Sequence, residues 1–326
     1  NDLGIVPYIM PGFELAKKAT EIFEKNPKVK GLILLNHGIF TFGKTAKQSY
    51  ERMVKYVSLA ERELKIKSRH IKNNQYKENI ITSSSLSNIF RKYLSVSLGD
   101  DYKRKIIYFS NFKFINQLFD KNIYSKINGP VTPDHVIRIK HKPLFLDFSK
   151  VKINNLEKEI KKKINIYKSQ YNKYFIRNKH LNKQAIMHDQ NPRLIIVKGM
   201  GLFSTGKNFV EAKIAMDVGI NSLSVIIDAV KYGKFKSIDE KEIFRVEYWP
   251  LELAKIKVSN LPLQGNVTVI SGGLGTIGYA TALKFLKEGS EVVLLDKIKN
   301  NKNINGMSFF KCDVTNEDEI RKALKQ

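Results

Sequence analysis

Between Val267 and Asp296 the stretch VTVISGGLGTIGYATALKFLKEGSEVVLLD carries Gly272, Gly275 and Gly278 at three-residue spacing and ends on an acid. That spacing suits phosphate chemistry. Glycines let the main chain turn sharply and approach a pyrophosphate. A helix starting there offers unpaired N–H groups and the positive end of its dipole. The residues that would line such a loop are Ser271, Gly272, Leu274, Gly275, Thr276, Ile277 and Gly278. Asp296 stands eighteen positions past Gly278, where a carboxylate can accept hydrogen bonds from an adenosine ribose. It would also repel a 2′-phosphate, so the expected cofactor is NAD rather than NADP. The competing reading is an ordinary βαβ turn that holds nothing.

Three elements must position this loop. Val267–Ile270 is a β-branched run that reads as a strand, and a helical pattern follows through Ala280, Ala282, Leu283, Phe285 and Leu286. Gly289 stops the helix, and Glu291–Leu295 reads as a second, buried strand. Phe309–Val314 (FFKCDV) reads as a third. The stretch resembles the short-chain dehydrogenase/reductase superfamily, whose usual fingerprint is TGxxxGxG. Ser271 stands for the Thr, Gly272 for the first Gly and Gly278 for the last, with Thr276 at the place of the second. The GGxGxxG spacing is like that family's extended branch. The resemblance covers residues 262–326, and by it Asp313 matches the Asp beside the adenine ring. It implies NAD-linked oxidoreduction by a Tyr-x-x-x-Lys pair that would come after Gln326. The one formal match, Tyr232 to Lys236, precedes the loop and is read as coincidence. The chain is accordingly expected to be cut at both ends.

His37 is the second residue that invites chemistry. It leaves an aliphatic run (LILLNHG) and is followed by Gly38, which frees the backbone to present an imidazole at a strand end. Spacing alone favours a satisfied turn histidine. Residues 8–64, however, resemble the C-terminal part of class II, zinc-dependent sugar-phosphate aldolases, in which a His in this LxxHG context is the last metal ligand. The resemblance implies that His37 is a zinc ligand, with a His-x-His and a catalytic acid supplied from upstream. The six histidines, 37, 70, 135, 141, 180 and 188, form no His-x-His. Catalytic zinc needs about three protein ligands, so zinc is expected only if ligands lie outside this stretch.

Around these sites the periodicities predict a helix over Pro11–Asn26, two strands joined by a His-Gly turn within Val29–Phe42, and a helix over Thr45–Leu64. The last has an apolar stripe through Ala46, Tyr50, Met53, Val57, Ala60 and Leu64. Residues 1–65 are read as the aldolase part and the polar residues 66–84 as a linker. Residues 85–250 are read as a second, degenerate aldolase-like domain. Within it Ser85–Leu98 and Asn111–Phe119 read as helices, Ile106–Phe109 as a strand, and Asn128–Asp147 as turns followed by strand-like segments. Asp134 and His135 could be pictured as a catalytic pair, but TPDHV reads more readily as a turn cap. Val151–Phe175 places Ile153, Leu156, Ile160, Ile164, Tyr167, Tyr171 and Tyr174 at helical spacing. Leu194–Met216 then echoes Leu32 onward at an offset of 163 positions: Gly201 answers Gly38, Phe203 Phe40, Gly206 Gly43 and Lys207 Lys44. At the His37 position the echo has Met200, whose thioether does not replace imidazole on zinc. Residues 251–261, after the single Trp249, are read as a linker to 262–326.

The fold class expected is thus α/β and α+β, with aldolase-like αβα domains followed by the first half of a Rossmann-type parallel sheet. A single cysteine, Cys312, excludes an internal disulfide framework and fits a cytoplasmic location. No apolar run approaches the ~20 residues that cross a bilayer. The net charge of +26 comes mostly from Lys scattered among Asn and Ile, so no dedicated nucleic-acid role is expected. The order of parts resembles bifunctional aldolase/short-chain dehydrogenases of the rhamnulose-1-phosphate aldolase/alcohol dehydrogenase type. That implies a sugar phosphate and an aldehyde or alcohol as substrates, and a homo-oligomer. The alternative from another class is a dehydrogenase fused to a noncatalytic aldolase-like scaffold.

Overall fold

Three units follow one another along the chain, each built on its own small sheet. The structure is a computed structural model and describes residues 2–67, 81–98, 101–256, 261–299, 304 and 306–325; His70 and most of the expected 66–84 linker lie outside them. The first unit comprises β1 (Leu3–Val6), α1 (Phe13–Lys25), β2 (Gly31–Leu34), β3 (Gly38–Thr41) and α2 (Ala46–Lys67). The second opens with α3 (Ser83–Tyr93), β4 (Val96–Leu98), β5 (Asp101–Lys103) and β6 (Ile106–Ser110). It continues with α4 (Val136–Ile139), β7 (Leu144–Leu146), α5 (Leu156–Asn178), β8 (Leu194–Val197) and β9 (Gly201–Gly206), and closes with α6 (Phe209–Tyr232), α7 (Glu240–Glu247) and α8 (Pro250–Leu253). The third holds β10 (Val267–Ser271), α9 (Thr276–Lys287), β11 (Glu291–Asp296), β12 (Met307–Lys311) and α10 (Glu317–Lys325).

The echo at 163 positions is structural down to single hydrogen bonds. β2 pairs antiparallel with β3 from Gly31↔Thr41 to Leu34↔Gly38, and β8 with β9 from Leu194↔Ser204 to Val197↔Gly201. Both hairpins turn through a left-handed residue, Asn36 at φ 61° and Gly199 at φ 73°. Thr41 Oγ1 donates to the Ser49 carbonyl at 2.9 Å, and Ser204 Oγ to the Ala212 carbonyl at 2.6 Å. At the following helix Thr45 accepts from the Gln48 N–H and Asn208 from the Glu211 N–H. Gln48 and Glu211 reach back to the N–H groups of Lys44 and Lys207, much as in a capping box. A third strand lies parallel to each hairpin, β1 beside β2 and β7 beside β8. The chief difference is the helix before the hairpin, 13 residues in α1 and 23 in α5.

In the second unit the sheet, ordered β6-β9-β8-β7, is covered on both faces. The alternation of β8 decides which residue goes where. Ile195 and Val197 join Phe203 beneath α3 and α5, while Leu194 and Ile196 join Leu202 beneath α6. The stripe predicted for α5 is buried from Leu156 through Tyr174, whereas Ile153 lies in the 3₁₀ turn ahead of it and is exposed. Phe203 is fully buried, with ring centroids 5.1 Å from Phe90 and 4.7 Å from Phe109. Phe203→Ala should therefore cost ~3–5 kcal/mol. The check is a lower denaturant midpoint at unchanged slope, followed by the fluorescence of Trp249, the single Trp, which sits in this unit.

Several expectations are corrected. The α2 stripe is largely unburied: Tyr50, Val57 and Leu64 stand among the exposed hydrophobics, because the three-stranded sheet is too small to cover a helix of 22 residues. Val136–Ile139 is helical rather than strand-like, Val96–Leu98 is a strand rather than the end of a helix, and Lys113–Lys126 winds as 3₁₀ turns. Thr132 supplies no side-chain cap to the Pro133–His135 turn; its carbonyl accepts the His135 N–H instead. Residues from 251 onward do not begin as a free linker: α8 packs against α7, and Glu247, Tyr248 and Glu252 are buried.

Candidate functional site

β10, β11 and β12 form a parallel sheet in that order, with β11 in the centre. Such an arrangement needs crossovers, and α9 supplies the one between β10 and β11. The glycine loop fills the step from β10 into α9. Gly272 sits at φ 62°, a left-handed turn that an L side chain resists. Gly273 N–H donates to the Leu295 carbonyl and Gly275 N–H to the Gly272 carbonyl, which folds the loop over the strand ends. Leu274 is buried and anchors it in the core of the unit, whereas Ser271, Thr276 and Ile277 face solvent. Gly275 is the N-cap and carries no side chain to bond the first turn of α9. The N–H groups of that turn therefore point outward unclaimed by a cap, as an anion site requires. Gly278 is pressed against the loop backbone: a Cβ there would lie 2.2 Å from the Gly272 carbonyl oxygen.

Asp296 ends β11 beside this loop. One carboxylate oxygen accepts the Leu274 N–H at 3.0 Å and the other the Ile298 N–H at 3.1 Å. It thus ties the glycine loop to the strand end. Each carboxylate oxygen has a second lone pair for a ligand hydroxyl. Asp313 follows β12 and accepts from Thr315 N–H and Oγ1, bonds that hold its carboxyl below the usual carboxylate range. Together Ser271, Gly272, Leu274, Gly275, Thr276, Ile277, Gly278 and Asp296 form one continuous feature at the carboxyl end of the sheet, and Asp313 stands at the end of the outer strand.

His37 is elsewhere, at the β2–β3 turn. Its Nε2 lies 2.8 Å from the Ile9 carbonyl oxygen, which can only accept, so Nε2 carries the proton and Nδ1 the lone pair. The ring stacks on Tyr8 with centroids 5.2 Å apart. Among the described residues no three His, Cys, Asp or Glu side chains come close enough together to hold a metal. One imidazole does not by itself make a zinc site, which needs about three protein ligands. Asp134 and His135 share a short 3₁₀ turn in which burial lowers the His135 pKa. Tyr232 ends α6, with Lys236 in the segment that follows. No helix among the described residues is long and apolar enough to cross a membrane.

The family model "Aldolase class II, second domain" matches residues 82–256. The chain belongs to this class II aldolase family. In this class II aldolase chain, residues 1–64 also match "Class II Aldolase and Adducin N-terminal domain" and residues 268–326 match "NAD dependent epimerase/dehydratase family". Class II aldolase domains are therefore joined to an NAD epimerase or short-chain-dehydrogenase-like domain. "Uncharacterized oxidoreductase YuxG" of Bacillus subtilis is 27% identical over 98% of this chain and 49% of that protein. "Short-chain dehydrogenase reductase 3c" of Arabidopsis thaliana is 36% identical over 21% of this chain and 29% of its own length. The chain thus spans about half of the first relative and under a third of the second. No solved structure matches it.

The sequence reading missed one feature. A cavity of about 370 Å³ opens in the second unit, lined by Arg138, Lys140, Asp189, Arg193, Lys207 and Glu247 among others. These residues follow no motif, and only the fold brings them together.

Proposed function

We propose that the chain is part of an NAD-linked oxidoreductase fused to class II aldolase units, acting on a small aldehyde or alcohol. The observation that carries this reading is the glycine loop with its uncapped first turn of α9, braced by a carboxylate at the end of β11. In the bound state the N–H groups of Thr276, Ile277 and Gly278 would face the pyrophosphate, and Asp296 would accept from the ribose. NAD supplies the hydride acceptor; the residues of this chain bind and orient it. The pairing with aldolase units supports the finer reading that the aldehyde comes from retro-aldol cleavage of a ketose 1-phosphate, as in the rhamnulose-1-phosphate aldolase/alcohol dehydrogenase type.

Calorimetric titration of the intact protein tests the cofactor. NAD is expected to bind at least about tenfold more tightly than NADP, a difference of ~1.4 kcal/mol. Asp296→Asn loses the charge and leaves one oxygen where two backbone N–H groups now donate. The preference should therefore shrink toward equality, and overall affinity should fall as the loop loses part of its brace. Equal affinities in the unaltered protein, or tighter NADP, would overturn the reading.

A second reading, in which the aldolase units are a noncatalytic scaffold, is favoured by the isolated His37 and by Met200 at its counterpart. Metal analysis of the purified intact protein separates the two. About one zinc per chain, bound through three or so ligands, supports a lyase, and its lack after growth in zinc supports the scaffold.

A further inference from the structure

Lys140 combines two costly features, an unusual backbone and a buried amine. It is not a glycine, yet its backbone lies at φ 61° and ψ 177°, a region essentially reserved for glycine and costing of order 1–3 kcal/mol. Its side chain is carried inward until the residue is 5% exposed. The ammonium donates to the Asp189 carbonyl and sits 3.7 Å from the centre of the Tyr171 ring. No carboxylate of the described residues forms an ion pair with it. A strained backbone that delivers a buried amine with no carboxylate ion pair to a cavity wall is not explained by packing.

The remaining charges around it are already engaged. Asp189, in the loop before β8, is 2.5 Å from Lys105, which precedes β6. Glu247 on α7 accepts from Tyr171 at 2.6 Å and Tyr174 at 2.9 Å, both on α5. Burial raises the Glu247 pKa toward the neutral acid, against those phenol bonds and Lys140. Glu211 on α6 is held by the Lys207 N–H and lies 3.9 Å from Arg193. Arg138 on α4 reaches the Lys255 carbonyl. His188 faces the Glu247 carbonyl and His141 stacks on Tyr174. Burial depresses both imidazoles, so neither adds charge near neutral pH. The wall thus presents Arg138, Lys140, Arg193 and Lys207 against acids that are paired, capping or pushed toward neutrality.

We propose that this cavity is a binding site for a small organic oxyanion, a phosphate ester or a carboxylate, with Lys140 at its floor and Arg193 and Lys207 at its rim. The site is independent of the His37 position. Arg193, Thr205 and Lys207 flank the open end of the β8–β9 hairpin, whereas Met200, the counterpart of His37, lies at its turn. An anion would supply the partner that Lys140 lacks. Because burial lowers the Lys140 pKa to about 7, binding of an anion above that pH draws a proton from solvent onto the Lys140 amine.

The test is calorimetry on the intact protein, with sulfate as a probe that keeps its charge across pH 6–9, and with inorganic phosphate and malonate at pH 7. Sulfate affinity should fall as pH rises above about 7. Lys140→Met and Arg193→Gln should each weaken binding by about tenfold or more, with Lys140→Met also erasing the pH dependence. Arg193 is partly exposed, so its substitution tests the site even if the Lys140 variant folds poorly. Phosphate without malonate identifies a phosphate ester, the reverse a carboxylate, and both the shared chemistry. No binding of any of the three, or binding indifferent to both substitutions, overturns the proposal.

Discussion

Gly278→Ala is expected to abolish dinucleotide binding and to loosen the third unit. The added Cβ would lie 2.2 Å from the Gly272 carbonyl oxygen, 2.9 Å from its carbon and 3.1 Å from the Gly273 Cα. All three are backbone atoms, so no side chain can rotate away. Either the loop lifts off the helix or α9 tilts away from the sheet. In the first case the outward N–H groups lose their common focus, and in the second Ala282 leaves the core it shares with Val292 and Leu294. Overpacking of this kind costs ~1–3 kcal/mol, occasionally more. Gly275→Ala is the control. Its Cβ meets only the Gly272 carbonyl oxygen, at 3.2 Å, and its φ of −67° suits any residue. Titration with NAD should find no binding in the first variant and weakened binding in the second. Equal affinity in both would mean that the close approach of helix to loop has no part in holding the cofactor.

What the sequence disclosed and what it withheld divide along a physical line. Local periodicity located α1 and α5, and apolar runs on either side of the glycine loop located the strands of the last unit; α6 was reached through the echo alone, and only as far as Met216. The echo at 163 positions was visible in a few glycines. Its depth was not, since Thr41 and Ser204, or Gln48 and Glu211, are different residues making the same bonds. The α2 stripe misled because periodicity reports what a helix can bury, not whether a partner is there. The short α4 and α8 were missed because four residues carry no period, and buried Glu247 and Glu252 made a core segment look like a polar connection. The Lys140 cavity was beyond sequence reasoning altogether. Its wall gathers residues from 136 to 256, and nothing in the string IRIKHKP announces a lysine in a glycine conformation.

That lysine should also govern how stability responds to pH. Burial, opposed by Asp189 and Glu247, brings its pKa from 10.5 to about 7. Between those values the unfolded chain holds a proton that the native state does not. Stability contributed by this group therefore rises with pH from about 7 to 10.5, and the full penalty is present below 7. At 1.36 kcal/mol per unit the span is on the order of 5 kcal/mol. Lys140→Met keeps an apolar stem in the same space and removes the desolvated ammonium. Asp189, held near 2 by Lys105 and Arg193 as well as Lys140 against the opposing effect of burial, keeps two of its cations. Glu247 keeps its two tyrosine donors and moves further toward the neutral acid. The variant is therefore expected to be no less stable than the parent at pH 7, with a denaturant midpoint that stays flat from pH 7 to 10 where the parent's climbs. Trp249 fluorescence, reporting on the second unit, reads both curves. Parallel curves would mean that the ammonium is better neutralised in the folded chain than its surroundings suggest, and that the strained backbone at Lys140 serves packing instead.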